Sequence, residues 1–341
     1  MELSFTLFFS MISGCSIGAY VFMKLAHKYG LHDHPNGRSS HRQPTVTGMG
    51  IILVLAFIIY LFWQPFELSG LFVLGFFLLT SISFLDDLFF LKHSFRLAVQ
   101  VLAVSIMVSQ LPFQSFQSYG PEAIALGIAA IIFGVGVLNA YNFMDGINGM
   151  LTLHCILVLS SFLYLNETIV DQQGQALHFT NSHFLIAILV PLGIFGAFNI
   201  RTRALAFIGD VGSIGIAFII LYLMYNLLLT TGNYAYLLLF SVFGADAGLT
   251  VVYKLILREN IFVPHRDFLF KRLVHLRKWP HLTVSFIYFG VQMVINTVVI
   301  LALPKTPKLS TQMSMLFIVM VALVAVYIAM QSTFRRSKAA E

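Results

Sequence analysis

Long apolar runs, separated by short polar loops, make up most of this chain. A helix that crosses a bilayer needs about 20 mostly apolar residues, because its backbone polar groups must all be bonded within the segment. Since 58% of the residues are hydrophobic and 10% are charged, against about 25% in soluble domains, a water-soluble fold is excluded. The sequence predicts an all-α polytopic membrane protein with about 11 transmembrane helices. The candidate spans are residues 3–23, 48–63, 70–85, 97–111, 122–140, 147–165, 183–200, 211–229, 234–253, 283–303 and 311–330.

Positive charges are distributed unevenly between the loops at the two ends of these spans. If the amino terminus lies outside, eighteen of the 20 Lys and Arg residues fall in cytoplasmic loops, and only Lys305 and Lys308 fall outside. Cytoplasmic loops of membrane proteins carry such an excess. The pattern predicts an outside N-terminus, a cytoplasmic C-terminus and a single membrane domain over residues 1–341. No basic segment precedes the first span, which we interpret as a retained helix rather than a cleaved signal.

Four carboxylates lie at the predicted cytoplasmic ends of spans. Asp86 and Asp87 occur in SFLDDLFFLK, Asp145 in NFMDGINGM and Asp210 in FIGDVGS. An acid at the centre of a membrane helix raises the free energy of insertion by about 2.5 to 3.5 kcal/mol, so acids within spans mark functional sites. Acids at the ends of spans can also be solvated helix caps. Four such acids at one face of the membrane favour a shared site over four separate helix caps. Adjacent carboxylates repel each other unless a cation holds both, and Asp and Asn oxygens are ligands that Mg²⁺ accepts.

Other polar residues near these acids suit an anionic ligand. GDVGS opens a span, so its glycines permit close backbone approach, and the free N–H groups of the helix start could bind a phosphate. Basic residues in two cytoplasmic loops could pair with a pyrophosphate or attract anionic lipid. They are Arg38, His41 and Arg42 in the first loop, and His265, Arg266, Lys271 and Arg272 in the last. Asp246 lies deeper in a span and is expected to be neutral or paired.

Five segments, in their order along the chain, resemble the polyprenyl-phosphate N-acetylhexosamine-1-phosphate transferases. They are SFLDDL, NAYNFMDGINGM, FIGDVGSIG, GADAGLTVVYKLI and PHRDFLFKRL. The family includes undecaprenyl-phosphate GlcNAc-1-phosphate transferases and the muramoyl-pentapeptide translocase. The resemblance covers a motif-bearing region of about residues 31–282 and leaves two C-terminal spans over residues 283–330. The early segment DHPNGRSSHRQPTVTGMG and the number of spans are more similar to the GlcNAc and O-antigen branch.

The resemblance implies a reaction and its site residues. The implied reaction transfers an N-acetylamino-sugar-1-phosphate from a UDP-sugar to undecaprenyl phosphate and releases UMP, at the cytoplasmic face of the cell membrane, to initiate cell-wall, O-antigen or capsule polysaccharide. Asp86 and Asp87 match a catalytic pair that activates the lipid phosphate or organises the metal. Asp210 and Asn142 match ligands of Mg²⁺, with Mn²⁺ as the alternative. The implied substrate-binding residues are Asp145, Asn148, Asn199, Phe207 as a stacking partner of uracil, His265, Arg266, Arg38 and His41.

The last cytoplasmic loop departs from the GlcNAc branch. That branch has several histidines after the arginine, whereas Phe268, Phe270 and Lys271 occupy those places here. The identity of the transferred amino sugar therefore stays open, with an N-acetyl-6-deoxyhexose as one alternative. No nucleic-acid partner is expected, and a homodimer is left open.

Two other classes of membrane protein also use carboxylates. A secondary transporter would place them near the bilayer midplane, often within internal repeats, whereas the acids here lie at one edge and no repeat is visible. A CDP-alcohol phosphatidyltransferase would need a signature that joins a DG–AR pair to spaced Gly and Asp residues, and the chain lacks it. The transferase is the predicted function, and the transporter is the alternative.

Overall fold

The computed structural model describes residues 5–35, 43–65, 67–89, 91–111, 121–171, 173–259, 267–303 and 307–339. Four predicted site residues, Arg38, His41, His265 and Arg266, lie outside these ranges. Within them the chain is almost entirely helical. The helices are α1 (Phe5–Tyr29), α2 (Ile51–Trp63), α3 (Gly70–Phe89), α4 (His93–Ser109), α5 (Pro121–Met144), α6 (Met150–Thr168), α7 (Ser182–Asn199), α8 (Gly209–Thr231), α9 (Ser241–Ile256), α10 (Leu269–His275), α11 (His281–Ala302) and α12 (Leu309–Ala339). A 3-10 segment, Tyr234–Phe240, leads directly into α9.

Eleven apolar helical segments match the predicted spans in order. In the described part of the chain, nine of them are long and apolar enough to cross a bilayer. The 3-10 segment and α9 together form one of these, Tyr234–Ile256. The other two segments, α2 and α4, are shorter apolar helices. The prediction of an all-α polytopic membrane protein is confirmed, and the orientation of the spans stays a prediction.

Helix α8 lies at the centre of the bundle. It is apolar around its whole circumference, and residues 211–221 are all buried. A helix with this pattern must be surrounded by other elements, and α8 packs against α2, α3, α5 and α6. By contrast, α1, α5 and α12 bury few of their residues, as expected for helices that face lipid. The fold therefore surrounds α8 with helices and fixes the position of its first turn.

A short β pairing joins the loop before α2 to the start of α8. Strand β1 (His32–Asp33) pairs antiparallel with β2 (Thr45–Val46), and β2 forms a parallel bridge with Ala206. Three backbone hydrogen bonds of 2.7, 3.1 and 2.8 Å continue this contact between residues 46–50 and residues 207–208. The first loop is thereby fixed against the segment that precedes α8.

The starts of α2 and α8 touch through two glycines. A Cβ atom at Gly50 would lie 2.2 Å from the Cα of Gly212 and 2.7 Å from the backbone oxygen of Ile208. Backbone atoms cannot move aside as the end of a side chain can. We therefore expect Gly50→Ala to cost at least about 1 to 3 kcal/mol, the usual penalty of overpacking. The measurement is the unfolding temperature in detergent, together with the yield from membranes.

Gly193, inside α7, provides the matched control. A Cβ atom at this position would meet no other atom within 4 Å, and alanine favours a helix by about 1 kcal/mol relative to glycine. We expect Gly193→Ala to keep or raise the unfolding temperature. An unchanged unfolding temperature in Gly50→Ala would contradict the close approach of the two helices.

Candidate active site

The carboxylate of Asp87, near the end of α3, lies against the first turn of α8. Its Oδ1 accepts a hydrogen bond from the Asp210 N–H at 3.3 Å, and its Oδ2 accepts one from the Val211 N–H at 3.5 Å. Gly209 has φ +72°, and a Cβ there would lie 2.8 Å from Asp87 Oδ2 and from the Cα of Gly48. Glycine is therefore required. The prediction that these N–H groups are free for a phosphate is wrong, because protein carboxylates occupy them.

Asp145 approaches the same turn from the loop between α5 and α6. Its carboxylate accepts a hydrogen bond from the Gly209 N–H. Burial raises the pKa of Asp145 well above its ordinary value. The hydrogen bond from Gly209 lowers this pKa in part, and the negative charges of Asp210 and Asp87 raise it further. Three carboxylates thus converge at the start of α8, and each disfavours the ionisation of its neighbours.

Arg96, at the start of α4, joins two of the acids. Its Nη1 forms an ion pair with Asp86 and lies 3.3 Å from Asp210 Oδ2. Asp86 is buried and also accepts a hydrogen bond from the Leu91 N–H at 2.8 Å. Asn142 donates a further hydrogen bond to the carboxylate of Asp210. In the sequence, Arg96 is visible only as one of the basic residues that indicate membrane topology. The available signal was a basic residue ten positions after an acid, across a helix–helix turn.

The side chains at this point suit a hard divalent cation. Asp87, Asp145, Asp210 and Asn142 supply oxygen atoms of the kind that Mg²⁺ binds, and one guanidinium group offsets only part of the negative charge. In the described ranges, no three His, Cys, Asp or Glu side chains form a ready-made metal cage. Mg²⁺ usually keeps several waters and takes one or two carboxylates together with substrate phosphates. The residues present therefore fit Mg²⁺ bound jointly with a phosphorylated ligand.

Asp86, Asp87, Asp145 and Asp210 form the carboxylate cluster of this site. A separate cavity of about 620 Å³ has Phe207 in its wall, and none of the four acids lines it. Phe207 is half-buried and precedes Asp210 by three residues. The wall combines this aromatic ring with amide and basic side chains, which include Asn148, Arg203, His27, His32 and His281. Such a lining suits a ligand that has an aromatic base and anionic groups.

Two of the predicted substrate-binding asparagines hold the loops around the cavity. Asn148 Nδ2 donates to a backbone oxygen of the α7–α8 loop at 2.8 Å, and the Asn148 backbone oxygen accepts from Ser285 Oγ at 2.8 Å. Asn199 is buried, accepts from the Gly149 N–H at 2.8 Å and donates to the Ala206 oxygen at 3.1 Å. These contacts position loops, and the substrate-binding function of both residues stays a prediction.

Two phenylalanines of the last loop lie in the core. Phe268 and Phe270, which stand where the GlcNAc branch has histidines, are fully buried, and their rings stack with centroids 5.6 Å apart. Phe270 also packs against Phe243. Lys271 instead projects toward the loop that carries Asp145, since a Cβ at Gly146 would lie 3.2 Å from Lys271 Nζ.

Known proteins with similar sequences are membrane transferases. Residues 69–228 match the family model of glycosyl transferase family 4, and this range contains the four acids of the cluster. Over 246 residues, 68% of this chain and 63% of the relative, the sequence is 30% identical to the undecaprenyl-phosphate alpha-N-acetylglucosaminyl 1-phosphate transferase of Yersinia pestis. Residues 69–228 belong to glycosyl transferase family 4. The family resemblance seen in the sequence is thereby confirmed.

Further relatives in family 4 carry similar names. The enzyme of the same name from Thermotoga maritima is 33% identical over 136 residues, which are 39% of this chain and 42% of the relative. A probable undecaprenyl-phosphate N-acetylglucosaminyl 1-phosphate transferase of Bacillus subtilis is 24% identical over 290 residues, 79% of this chain and 76% of the relative. The chain spans less than two thirds of the length of the first two relatives. Their names favour the family 4 transferase over the alternative transporter.

Proposed function

We propose that this chain transfers an N-acetylamino-sugar-1-phosphate from a UDP-sugar to undecaprenyl phosphate and releases UMP. The convergence of Asp87, Asp145 and Asp210 on the first turn of α8 carries this proposal, and a cavity with an aromatic and basic wall at Phe207, three residues before Asp210, supports it. The named relatives support N-acetylglucosamine as the first sugar to test. The chain is a multi-pass membrane protein, and the excess of Lys and Arg at this end of the spans supports a site on the cytoplasmic face of the cell membrane.

In the proposed reaction, a phosphate oxygen of the lipid attacks the phosphorus that carries the sugar. One phosphorus–oxygen bond forms, the bond between the two donor phosphates breaks, and UMP leaves with the electron pair. Asp87 either takes a proton from the lipid phosphate or orients the groups around it. Arg96 holds Asp86 and Asp210 in place through its ion pairs. The protein thus contributes mainly position and electrostatic stabilisation, as in other phosphoryl transfers.

Asp210 and Asn142 are the residues that would hold Mg²⁺, with Asp87 and Asp145 beside them. A bound cation neutralises charge on the donor pyrophosphate and stabilises the leaving UMP, and Mn²⁺ supplies the same chemistry. Removal of the metal with EDTA should therefore stop turnover, and added Mg²⁺ should restore it.

The test of the proposed function uses the purified protein in detergent or nanodiscs. UDP-N-acetylglucosamine, undecaprenyl phosphate and Mg²⁺ are supplied, and we expect UMP release together with a lipid-linked sugar. A panel of UDP-amino sugars then identifies the preferred donor. Lack of product with every UDP-amino sugar would contradict the proposal. Substrate flux in proteoliposomes, or release of CMP from a CDP-alcohol, would favour one of the other two classes.

Phe207 should bind the uracil ring of the donor. Stacking of a base on an aromatic ring contributes about 1 to 3 kcal/mol in nucleic-acid systems, so Phe207→Ala should weaken donor binding about ten- to a hundredfold. Metal dependence should not change, because the ring is not a ligand. The measurements are the KM for the UDP-sugar and the inhibition constant of UMP. Phe207→Tyr keeps the ring and serves as the control. If both constants stayed unchanged in Phe207→Ala, the residue would be an interfacial aromatic anchor.

A further inference from the structure

Asp246, in α9, is a buried carboxylate that the proposed reaction does not use. It is 3% exposed and accepts four hydrogen bonds. Two come from the backbone N–H groups of Leu269 at 2.8 Å and Phe270 at 3.2 Å, and two from Tyr288 Oη at 2.8 Å and Thr250 Oγ1 at 3.4 Å. Leu269 and Phe270 begin α10, and the first N–H groups of a helix have no partner inside it. Asp246 therefore fixes where α10 starts.

Ion pairs attach α10 to α9 a second time. Arg272 Nη2 lies 2.9 Å from Asp267 Oδ1, and Lys254 Nζ lies 3.5 Å from Asp267 Oδ2 and 3.1 Å from Glu259 Oε2. Lys254 is itself buried. These contacts fix Asp267, two residues before α10, and so help to set the direction of the helix. The positive charges of Arg272 and Lys254 are used within this group of contacts.

Lys271 leaves α10 on the side of the α5–α6 loop, which carries Asp145 and Gly146. Its Cε and Nζ lie so close to Gly146 that a Cβ on this glycine would be 2.7 and 3.2 Å away from them. The ammonium group also lies 5.4 Å from the centre of the Phe268 ring and 5.8 Å from that of Phe270. The two buried rings support the side chain from one side, and the loop after Asp145 limits it on the other. Its charged end is thus held beside Gly146, the residue that follows Asp145.

We propose that Asp246 is a positioning residue for donor binding: it fixes the start of α10 and so holds the Lys271 ammonium beside Gly146, in the loop that carries Asp145, where the ammonium contacts the donor diphosphate. This inference rests on the proposed function and deepens it. A lysine suits the task because an ammonium group forms charge-assisted hydrogen bonds with phosphate oxygens from several directions. The neighbouring Phe268 and Phe270 are buried and have no polar group to offer a ligand.

The test compares Lys271→Met, Asp246→Ala and the double variant in the purified full chain. Each single change should raise the KM for the UDP-sugar about tenfold to a hundredfold, because one charge-assisted contact is lost or displaced. The KM for undecaprenyl phosphate should stay within about twofold. The double variant should be no worse than Lys271→Met, since both changes act through the same ammonium group. Asp246→Asn keeps one acceptor oxygen and should give a smaller rise, and it replaces Asp246→Ala in the comparison if that variant does not fold.

Asn166, at the other end of the bundle, provides a matched control. It is 1% exposed and, like Asp246, its side-chain oxygen accepts hydrogen bonds from two successive backbone N–H groups, those of Phe179 at 3.0 Å and Thr180 at 3.2 Å. Asn166→Ala should lower the unfolding temperature and leave the donor KM unchanged. A purely structural function of Asp246 would give the same result as this control.

Three results would overturn the inference. They are an unchanged donor KM in Lys271→Met, an unchanged donor KM in Asp246→Ala, and multiplication of the two single effects in the double variant. Failure of the unaltered protein to release UMP would instead contradict the proposed function. Thermal-shift titration with UDP-N-acetylglucosamine, without the lipid acceptor, then still tests Lys271: weaker binding in Lys271→Met supports its contact with the donor, and equal binding overturns it.

Discussion

Asp87→Asn should lower kcat by about a hundred- to ten-thousandfold, the range expected for loss of a group that handles a proton, while the folded protein stays in the membrane. The change is nearly isosteric. It removes a charge beside Asp145 and Asp210, and it turns one of two acceptor oxygens that face α8 into a donor. The other oxygen can still accept a hydrogen bond from Asp210 or Val211. UMP release measures the loss, and size-exclusion chromatography in detergent checks the fold.

Asp171 gives the matched control for this variant. It lies in the loop between α6 and α7, and its Oδ1 accepts hydrogen bonds from the N–H groups of Gln173 and Gln175, each at 2.8 Å. Asp171→Asn therefore disturbs a comparable contact between carboxylate and backbone away from the cluster, and its kcat should be unchanged. Full activity in Asp87→Asn would show that the predicted aspartate pair does not take part in turnover.

The helical architecture could be predicted because a bilayer permits few backbone conformations in a segment that crosses it. Each span must be long, apolar and internally hydrogen-bonded, so the eleven segments are visible in the sequence one by one. Three short elements were not predicted. Helix α10 has seven residues, too few for a hydrophobic period to show, and it depends on the buried carboxylate of Asp246. Strands β1 and β2 have two residues each and form through contacts with residues 206–208.

The gathering of four acids at one end could also be predicted, but their partners could not. Adjacent residues on a helix do not share a face, so Asp86 turns to Arg96 while Asp87 turns to the start of α8. Which N–H groups of α8 are available depends on Asp87 and Asp145, which come from two distant parts of the chain. The pairings of Asp87 and Asp145 with α8 follow from tertiary packing and leave no local pattern.

The same limit applies to the last loop. Its phenylalanines show in the sequence only as missing histidines, whereas the structure shows that Phe268 and Phe270 fill space in the core. Their burial leaves Lys271 as a polar side chain of α10 beside Gly146. A substituted position in this loop can lie in the core or in the site, depending on the direction of α10. Side chains from α9 and α11 set that direction.

Asp210→Ala should abolish Mg²⁺-dependent turnover, and a higher Mg²⁺ concentration should restore only a small part of it. The carboxylate of Asp210 lies 3.3 Å from Arg96 Nη1 and accepts a hydrogen bond from Asn142. Its removal takes away one proposed metal ligand and leaves Arg96 paired with Asp86 alone. Excess Mg²⁺ can offset weaker binding, but it cannot orient the donor phosphates, for which the fixed carboxylate is needed.

The first turn of α8 should survive this change, because its N–H groups are held by Asp87 and Asp145 rather than by the Asp210 side chain. Ser213→Ala, one turn further along α8, is the control: Ser213 is buried and its Oγ lies 3.5 Å from the Asp210 backbone oxygen, so kcat should change little. The measurement is UMP release across a Mg²⁺ titration of both variants. If Asp210→Ala reached the kcat of the unaltered protein at high Mg²⁺, the carboxylate would affect only cation affinity, and orientation of the phosphates would have to come from Asp87, Asp145 and Asn142.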